Sequence, residues 1–240
     1  MRRVRSVFLV LFFSCSLGTG GDIEPPAPPV LLTPEEPGLE ERYTGPVPDG
    51  NWMRLAWVVG DEDDLARYDI YRRAEGEFVA RRVGALEVIW APGDTAVWDD
   101  RGVELKVRYR YFLRAVDRVG NESLPSDTVD YRLLPKFIPQ SPSGDIGEHR
   151  PLFLFGSPGD PDVAYFRIVV EEMDGRRIWV SIWQDATALF VKGVGRIGYN
   201  FDGEALWDSL RSGEYRWRVD TMGAEPRTGS KSRWMVFHVL

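Results

Sequence analysis

Polar and apolar positions alternate strictly along Arg108–Asp117. Tyr109, Tyr111, Leu113 and Ala115 fall on one side of an extended strand, and Arg108, Arg110, Phe112 and Arg114 on the other. A period of two with one apolar face predicts a strand laid on a core. The polar run from Arg118 to Asp127, with Gly120-Asn121 and Pro125, predicts the turn that follows it. Further short strands are predicted at Leu55-Ala56-Trp57, Tyr68–Arg73, Phe78–Val83, Val88–Trp90, Ala96–Trp98 and Ser126–Leu133, between Gly, Pro and Asp breaks. Many short strands at this spacing, with no long helical period, predict a β-sandwich over residues 30–134.

The pattern then repeats. Tyr215-Arg216-Trp217-Arg218-Val219-Asp220 echoes the central strand, and Asp162–Ile168 aligns with Asp64–Ile70. Trp57 precedes Tyr68 by 11 residues, as Phe155 precedes Phe166; Ser126 follows Ala115 by 11, as Ser232 follows Thr221. Tyr215 lies 106 residues after Tyr109 but Phe166 only 98 after Tyr68, so the second copy carries eight extra residues. These are placed near Gly193–Ser209, with a short helix expected at Glu204–Leu210. A second sandwich is therefore expected over 148–240. Residues 135–147, with Pro139, Pro142, Ser141, Ser143 and Gly144, are expected to be a Pro-rich linker of limited bending.

Trp57, Tyr68, the Tyr109–Asp117 strand and Gly120-Asn121-Glu122-Ser123 followed by Ser126 resemble a fibronectin type III domain, with Tyr109 similar to that family's tyrosine corner. The second copy, with Phe155 in place of the tryptophan, is similar more loosely. The resemblance implies an all-β chain of two tandem immunoglobulin-like (fibronectin type III) sandwiches, and binding or spacing in general without a particular partner.

Ahead of the first body, Met1-Arg2-Arg3-Val4-Arg5 is a basic stretch and Val7–Phe13 a short apolar one. Seven apolar residues are too few to span a bilayer, which needs nearer 20, so residues 1–14 read as a signal peptide. Phe12-Phe13-Ser14-Cys15 resembles a bacterial lipobox, which implies lipidation at Cys15; Ser16 after it implies outer-membrane sorting. Plain secretion, with cleavage between Ser16 and Gly21, is the alternative. Residues 15–29 read as a tether, flexible at Gly18, Gly20 and Gly21 and stiffened by Pro25, Pro26, Pro28 and Pro29.

Composition narrows the chemistry. The net charge is −7, and loss of the leader's Arg2, Arg3 and Arg5 would take it to −10, which argues against nucleic acid as a partner. The single cysteine excludes a disulfide framework, and two histidines leave little for metal or acid–base chemistry. There is no Gly-x-Ser-x-Gly elbow and no Gly-rich phosphate loop. No enzyme activity, metal or cofactor is expected. Asp61-Glu62-Asp63-Asp64 lacks the spacing of a calcium loop and reads as a solvated turn.

One surface carries a binding hypothesis. Ile178-Trp179-Val180-Ser181-Ile182-Trp183 alternates; with Ile178, Val180 and Ile182 inward, Trp179 and Trp183 stand outward. The same parity turns Arg216, Arg218 and Trp234 outward on neighbouring strands. Trp179, Trp183, Arg216, Arg218 and Trp234 would then form a contact surface of Trp and Arg. Alternatively, the insertion or the first body covers these residues. The leading expectation is a non-catalytic envelope lipoprotein acting as an interaction and presentation module, its partner an envelope protein or polysaccharide, with membrane attachment through Cys15. Carbohydrate binding through coplanar Trp179 and Trp183, or a structural role in an envelope assembly, are the alternatives.

Overall fold

The computed structural model of the chain describes residues 23–34, 43–90, 93–187 and 193–240. The expected leader, Cys15 and the tether up to residue 22 lie outside the described residues.

The first body is a sandwich of two antiparallel sheets. One sheet holds β1 (Val30–Leu31), β2 (Gly45–Pro46), β3 (Met53–Val58) and β6 (Thr95–Asp100), all paired with β3. The other runs β5-β4-β7-β8, from β4 (Leu65–Ala74), β5 (Arg81–Glu87), β7 (Arg108–Asp117) and β8 (Val129–Leu133). The alternation in β7 does what its pattern requires: Tyr109, Tyr111, Leu113 and Ala115 are buried, facing a core that includes Leu55 and Trp57. Trp57 meets Tyr68 edge-on at 5.3 Å. The Tyr109 hydroxyl accepts the Glu104 N–H at 3.2 Å, closing a tyrosine corner. Two expected strands differ. Pairing with β4 begins only at Arg81, leaving Phe78 and Val79 in an exposed turn, and Val88–Trp90 is a single 3₁₀ turn.

The second body repeats the plan. Its smaller sheet is β9 (Ile138–Ser141), β11 (Leu152–Gly156) and β15 (Val194–Gly198). Its larger one is built on β12 (Val163–Glu172) and β16 (Gly213–Gly223), with β13 (Arg177–Val180) and β14 (Gln184–Asp185) against β12. β17 (Thr228–Lys231) and β18 (Met235–Val239) pair with β16, and β10 (Gly144–Ile146) pairs with β18. Tyr215 and Trp217 fill the core as Tyr109 and Tyr111 do, and the Tyr215 hydroxyl donates to the Arg211 carbonyl at 3.0 Å. Serine marks the repeat as well: Ser126 Oγ accepts the Leu113 N–H and Ser232 Oγ the Val219 N–H, both at 2.9 Å. Each bond spares an edge amide from going unpaired.

The segment expected to be a linker is part of the second body. β9 and β10 lie within it, and Leu134 and Phe137, which flank its first proline, are buried in the second core, Phe137 against Phe155 and Phe166 at 5.6 and 5.5 Å. Nor does Glu204–Leu210 form the expected helix. Its amides bond elsewhere, Leu206 N–H to the Ile178 carbonyl and Leu210 N–H to that of His149, so the insertion is sewn onto its neighbours.

The two bodies share one sheet. β8 of the first pairs in parallel with β17 of the second, Arg132 opposite Thr228 and Leu133 opposite Gly229. This joins eleven strands into one sheet running through both sandwiches. Arg132 N–H donates to the Arg227 carbonyl at 3.0 Å and Leu134 N–H to that of Gly229 at 3.1 Å. Ion pairs flank the seam: Arg108 with Glu225 (2.9 Å), Arg227 with Asp130 (3.2 Å), and Lys106 with Asp160 and Asp162 (3.1 and 3.2 Å).

Candidate interaction surface

The Trp–Arg surface expected on the second body depends on the parity of β13, and that parity breaks. Val170 pairs with Trp179 but Glu171 pairs with Arg177, so Ile178 is an extra residue on β13. Such a bulge reverses which side each following residue faces. Trp179 is thereby turned inward, in register with the core residue Val170, whose other neighbour is the core residue Trp217, and is 1% exposed. It packs against Phe153, Tyr199 and Phe201 at 5.8, 5.4 and 6.0 Å. Its Nε1–H donates to Asp202 Oδ1 at 2.9 Å, while Asp202 Oδ2 accepts the Ile182 N–H at 2.8 Å. Ile182, expected inward, is 52% exposed. Trp179 is a core residue held by the insertion, a correction to the expected surface.

The other four residues lie on one outer face. Trp183 is half-buried under the Arg167 guanidinium at 4.4 Å. Trp234 carries both Arg216 and Arg218 over its ring, each at 4.3 Å. Arg216 pairs with Glu171 at 2.8 Å, and Arg218 with Asp220 at 2.7 Å. Asp220 also takes Arg167 at 3.3 Å. Burial pushes the Asp220 carboxyl up, but Arg218, Arg167 and Lys231 outweigh it and hold the group below the usual carboxylate range. Arg167, Glu171 and Asp220 had no signature beyond their outward parity; the two carboxylates are what neutralises the arginines of this face.

The charged centre of the face is buried. Arg218 is 1% exposed, and Arg167, Glu171 and Asp220 are buried too. A crevice lined by Pro46 and Tyr131 of the first body and Trp183, Asp220, Thr221, Ser230 and Lys231 of the second holds only about 10 Å³, roughly one water's worth of space. Beside it the Lys136 ammonium donates to the carbonyls of Val47, Pro48 and Gly50 at 2.7, 3.0 and 2.5 Å, tying a loop of the first body to the start of the second. The first body thus covers the Trp183 end of the surface that the sequence offers as a binding face, while Arg216 and Trp234 stay partly exposed. Buried arginine–carboxylate contacts of this kind lock an orientation more than they add stability.

Elsewhere the titratable groups serve structure. In the first body Arg72 pairs with Asp100 at 2.8 Å, and the Tyr111 hydroxyl donates to the same carboxylate at 3.0 Å; burial and Asp100 raise the Tyr111 hydroxyl far above its ordinary range. Asp117 accepts the backbone N–H groups of Val119, Gly120 and Asn121 and the Asn121 side-chain amide. These donors overcome burial and hold its carboxyl below the ordinary value. Gly120 sits at φ +98°, which is why this turn needs glycine. Among the described residues no group of three or more His, Cys, Asp or Glu is placed to hold a metal ion.

No family model matches the chain, and no curated protein matches it. Among solved structures it is similar to the FN1–FN3 domains of chicken CNTN1, at 12% identity over 89% of this chain and 69% of that one, with a TM-score of 0.32. A superposition that loose leaves the fold to rest on strand order and register: two immunoglobulin-like sandwiches joined through one sheet.

Proposed function

We propose that the chain is a non-catalytic module of the cell envelope that presents a partner-binding face at a fixed distance and orientation from a membrane. An N-terminal lipid on Cys15 provides the attachment and the proline-containing tether the standoff. The observation that supports this reading most is the seam between β8 and β17. Two sandwiches meant only to fill space need no hydrogen-bonded joint, and interfaces between domains of one chain are by default loose. Here backbone pairing and flanking ion pairs oppose bending. Sugar binding through coplanar, exposed Trp179 and Trp183 loses its basis, because Trp179 is core.

The test is metabolic labelling of the source cells with an alkyne fatty acid, combined with cross-linking in the intact envelope. Wild type should take up the label, sediment with membranes and cross-link to an envelope protein; Cys15→Ser should lose the label and the membrane association. A soluble, unlabelled wild-type protein without cross-links would refute the reading.

A further inference from the structure

On the outer face of the first body, β4 and β7 bring four side chains into one block: Tyr71 opposite Phe112, and Arg73 opposite Arg110. The two rings stack 4.9 Å apart and 3° from parallel. That separation matches the roughly 4.8 Å between neighbouring strands, so the stacking direction lies in the sheet. The rings stand on edge and turn their rims, not their faces, to solvent. The rim is the positive part of an aromatic quadrupole.

Arg73 and Arg110 are like charges set directly across a strand pair, an arrangement that destabilises a sheet. Among the described residues, neither has a carboxylate within ion-pair distance. The arginines around them do: Arg82 reaches Asp69 at 2.8 Å and Arg114 reaches Glu122 at 3.4 Å. Asp130 lies across from Arg110 on β8 but gives its oxygens to Arg108 and Arg227. Arg110 is exposed, and Arg73, Tyr71 and Phe112 are partly so. In a chain of net charge −7, two adjacent guanidiniums with no ion-pair partner among the described residues, beside two ring rims, suit an anion.

We infer that this block is a docking site for an acidic peptide segment of a partner protein. Its carboxylates sit in the forks of Arg73 and Arg110, and its backbone lies along the rims of Tyr71 and Phe112. A guanidinium pairs with a carboxylate through two parallel hydrogen bonds, so two arginines side by side suit two neighbouring acidic residues. A sugar ring would need an aromatic face, which edge-on rings do not offer. The inference rests on reading the chain as an interaction module and names the chemistry of its partner.

The test is fluorescence anisotropy of the whole protein with a fluorescein-labelled hexaglutamate peptide. Wild type should bind with an affinity that falls with salt. The double variant Arg73→Gln/Arg110→Gln should bind about tenfold more weakly or worse, whereas Arg118→Gln/Arg233→Gln, which removes the same charge elsewhere, should bind like wild type. Relief of the like-charge pair should also raise the melting temperature of the first double variant by about 1–3 °C. No peptide binding, equal loss in both double variants, or a lowered melting temperature would overturn the site. So would displacement of the peptide by polygalacturonate at lower carboxylate concentration. Any of these with envelope cross-links intact leaves the module standing without this site; absence of the cross-links from wild type removes both.

Discussion

Arg108 of the first body donates to the Thr228 hydroxyl of the second at 3.0 Å, and the same guanidinium reaches Glu225 and the Pro226 carbonyl. One side chain therefore spans the seam where β8 meets β17. Nearby, a Cβ on Gly229 would stand 2.1 Å from the Thr221 carbonyl oxygen on β16, so glycine is what lets β17 lie this close to β16 inside the second body, and 3.3 Å from the Tyr131 hydroxyl on β8.

Arg108→Ala should loosen the seam. Hydrogen exchange at the Arg132 and Leu134 amides, which donate across it, should speed up about tenfold for the loss of about 1.4 kcal/mol of local stability. The Leu113 amide, bonded to Ser126 inside the first body, should be unaffected. Acceleration spread evenly through both cores would show that Arg108 serves the fold at large, not the joint.

Trp179→Ala separates a core tryptophan from a surface one. Removing a buried tryptophan costs about 3–5 kcal/mol, while an exposed one costs under about 0.5 kcal/mol. Asp202→Ala should cost about 1–3 kcal/mol, because it strands the Nε1–H of the buried Trp179. Urea unfolding followed by circular dichroism measures both. A near-neutral Trp179→Ala would return the residue to the surface.

What the chain disclosed in advance was whatever depends on short-range pattern. The alternation of β7, its echo in β16 and the serine spacing behind both were all legible, since each follows from the two-residue period of a strand. Trp179 was not, because a single extra residue at Ile178 inverts every parity count beyond it, and nothing local announces a bulge. The prolines of 135–147 read as a linker, but the flanking Leu134 and Phe137 carry the apolar surface that draws the segment into the second core. The β8–β17 seam has no sequence signal at all, being a long-range pairing of two strand edges.

Asp100→Ala should be among the most damaging changes in the first body. It leaves the Arg72 guanidinium buried without its carboxylate and the Tyr111 hydroxyl without its acceptor. Breaking a buried pair from one side costs about 3–5 kcal/mol. Thermal unfolding should show the loss, and pairing Asp100→Ala with Arg72→Met should recover part of it. A double variant no more stable than the single would mean that the remaining charge was not the source of the damage.

Lys136 gives the chain a stability signature in alkaline solution. Burial pushes its ammonium down from the ordinary 10.5 to about 8, with Asp49 opposing the shift and Arg218 adding to it. Below pH 8 both folded and unfolded chains hold the proton, so Lys136 contributes no slope. Between pH 8 and 10.5 the unfolded chain keeps a proton that the folded chain has released, so this residue's contribution to stability rises with pH. Lys136→Met removes that slope along with the three bonds to the Val47, Pro48 and Gly50 carbonyls. Urea unfolding at pH 7, 8, 9 and 10 should therefore show the stability difference between wild type and Lys136→Met growing in favour of wild type from pH 8 upward. Hydrogen exchange in the Val47–Gly50 loop should be faster in the variant at every pH. A difference that stays flat from pH 7 to pH 10 would mean that the three carbonyls hold the ammonium charged in the folded chain, against the effect of burial.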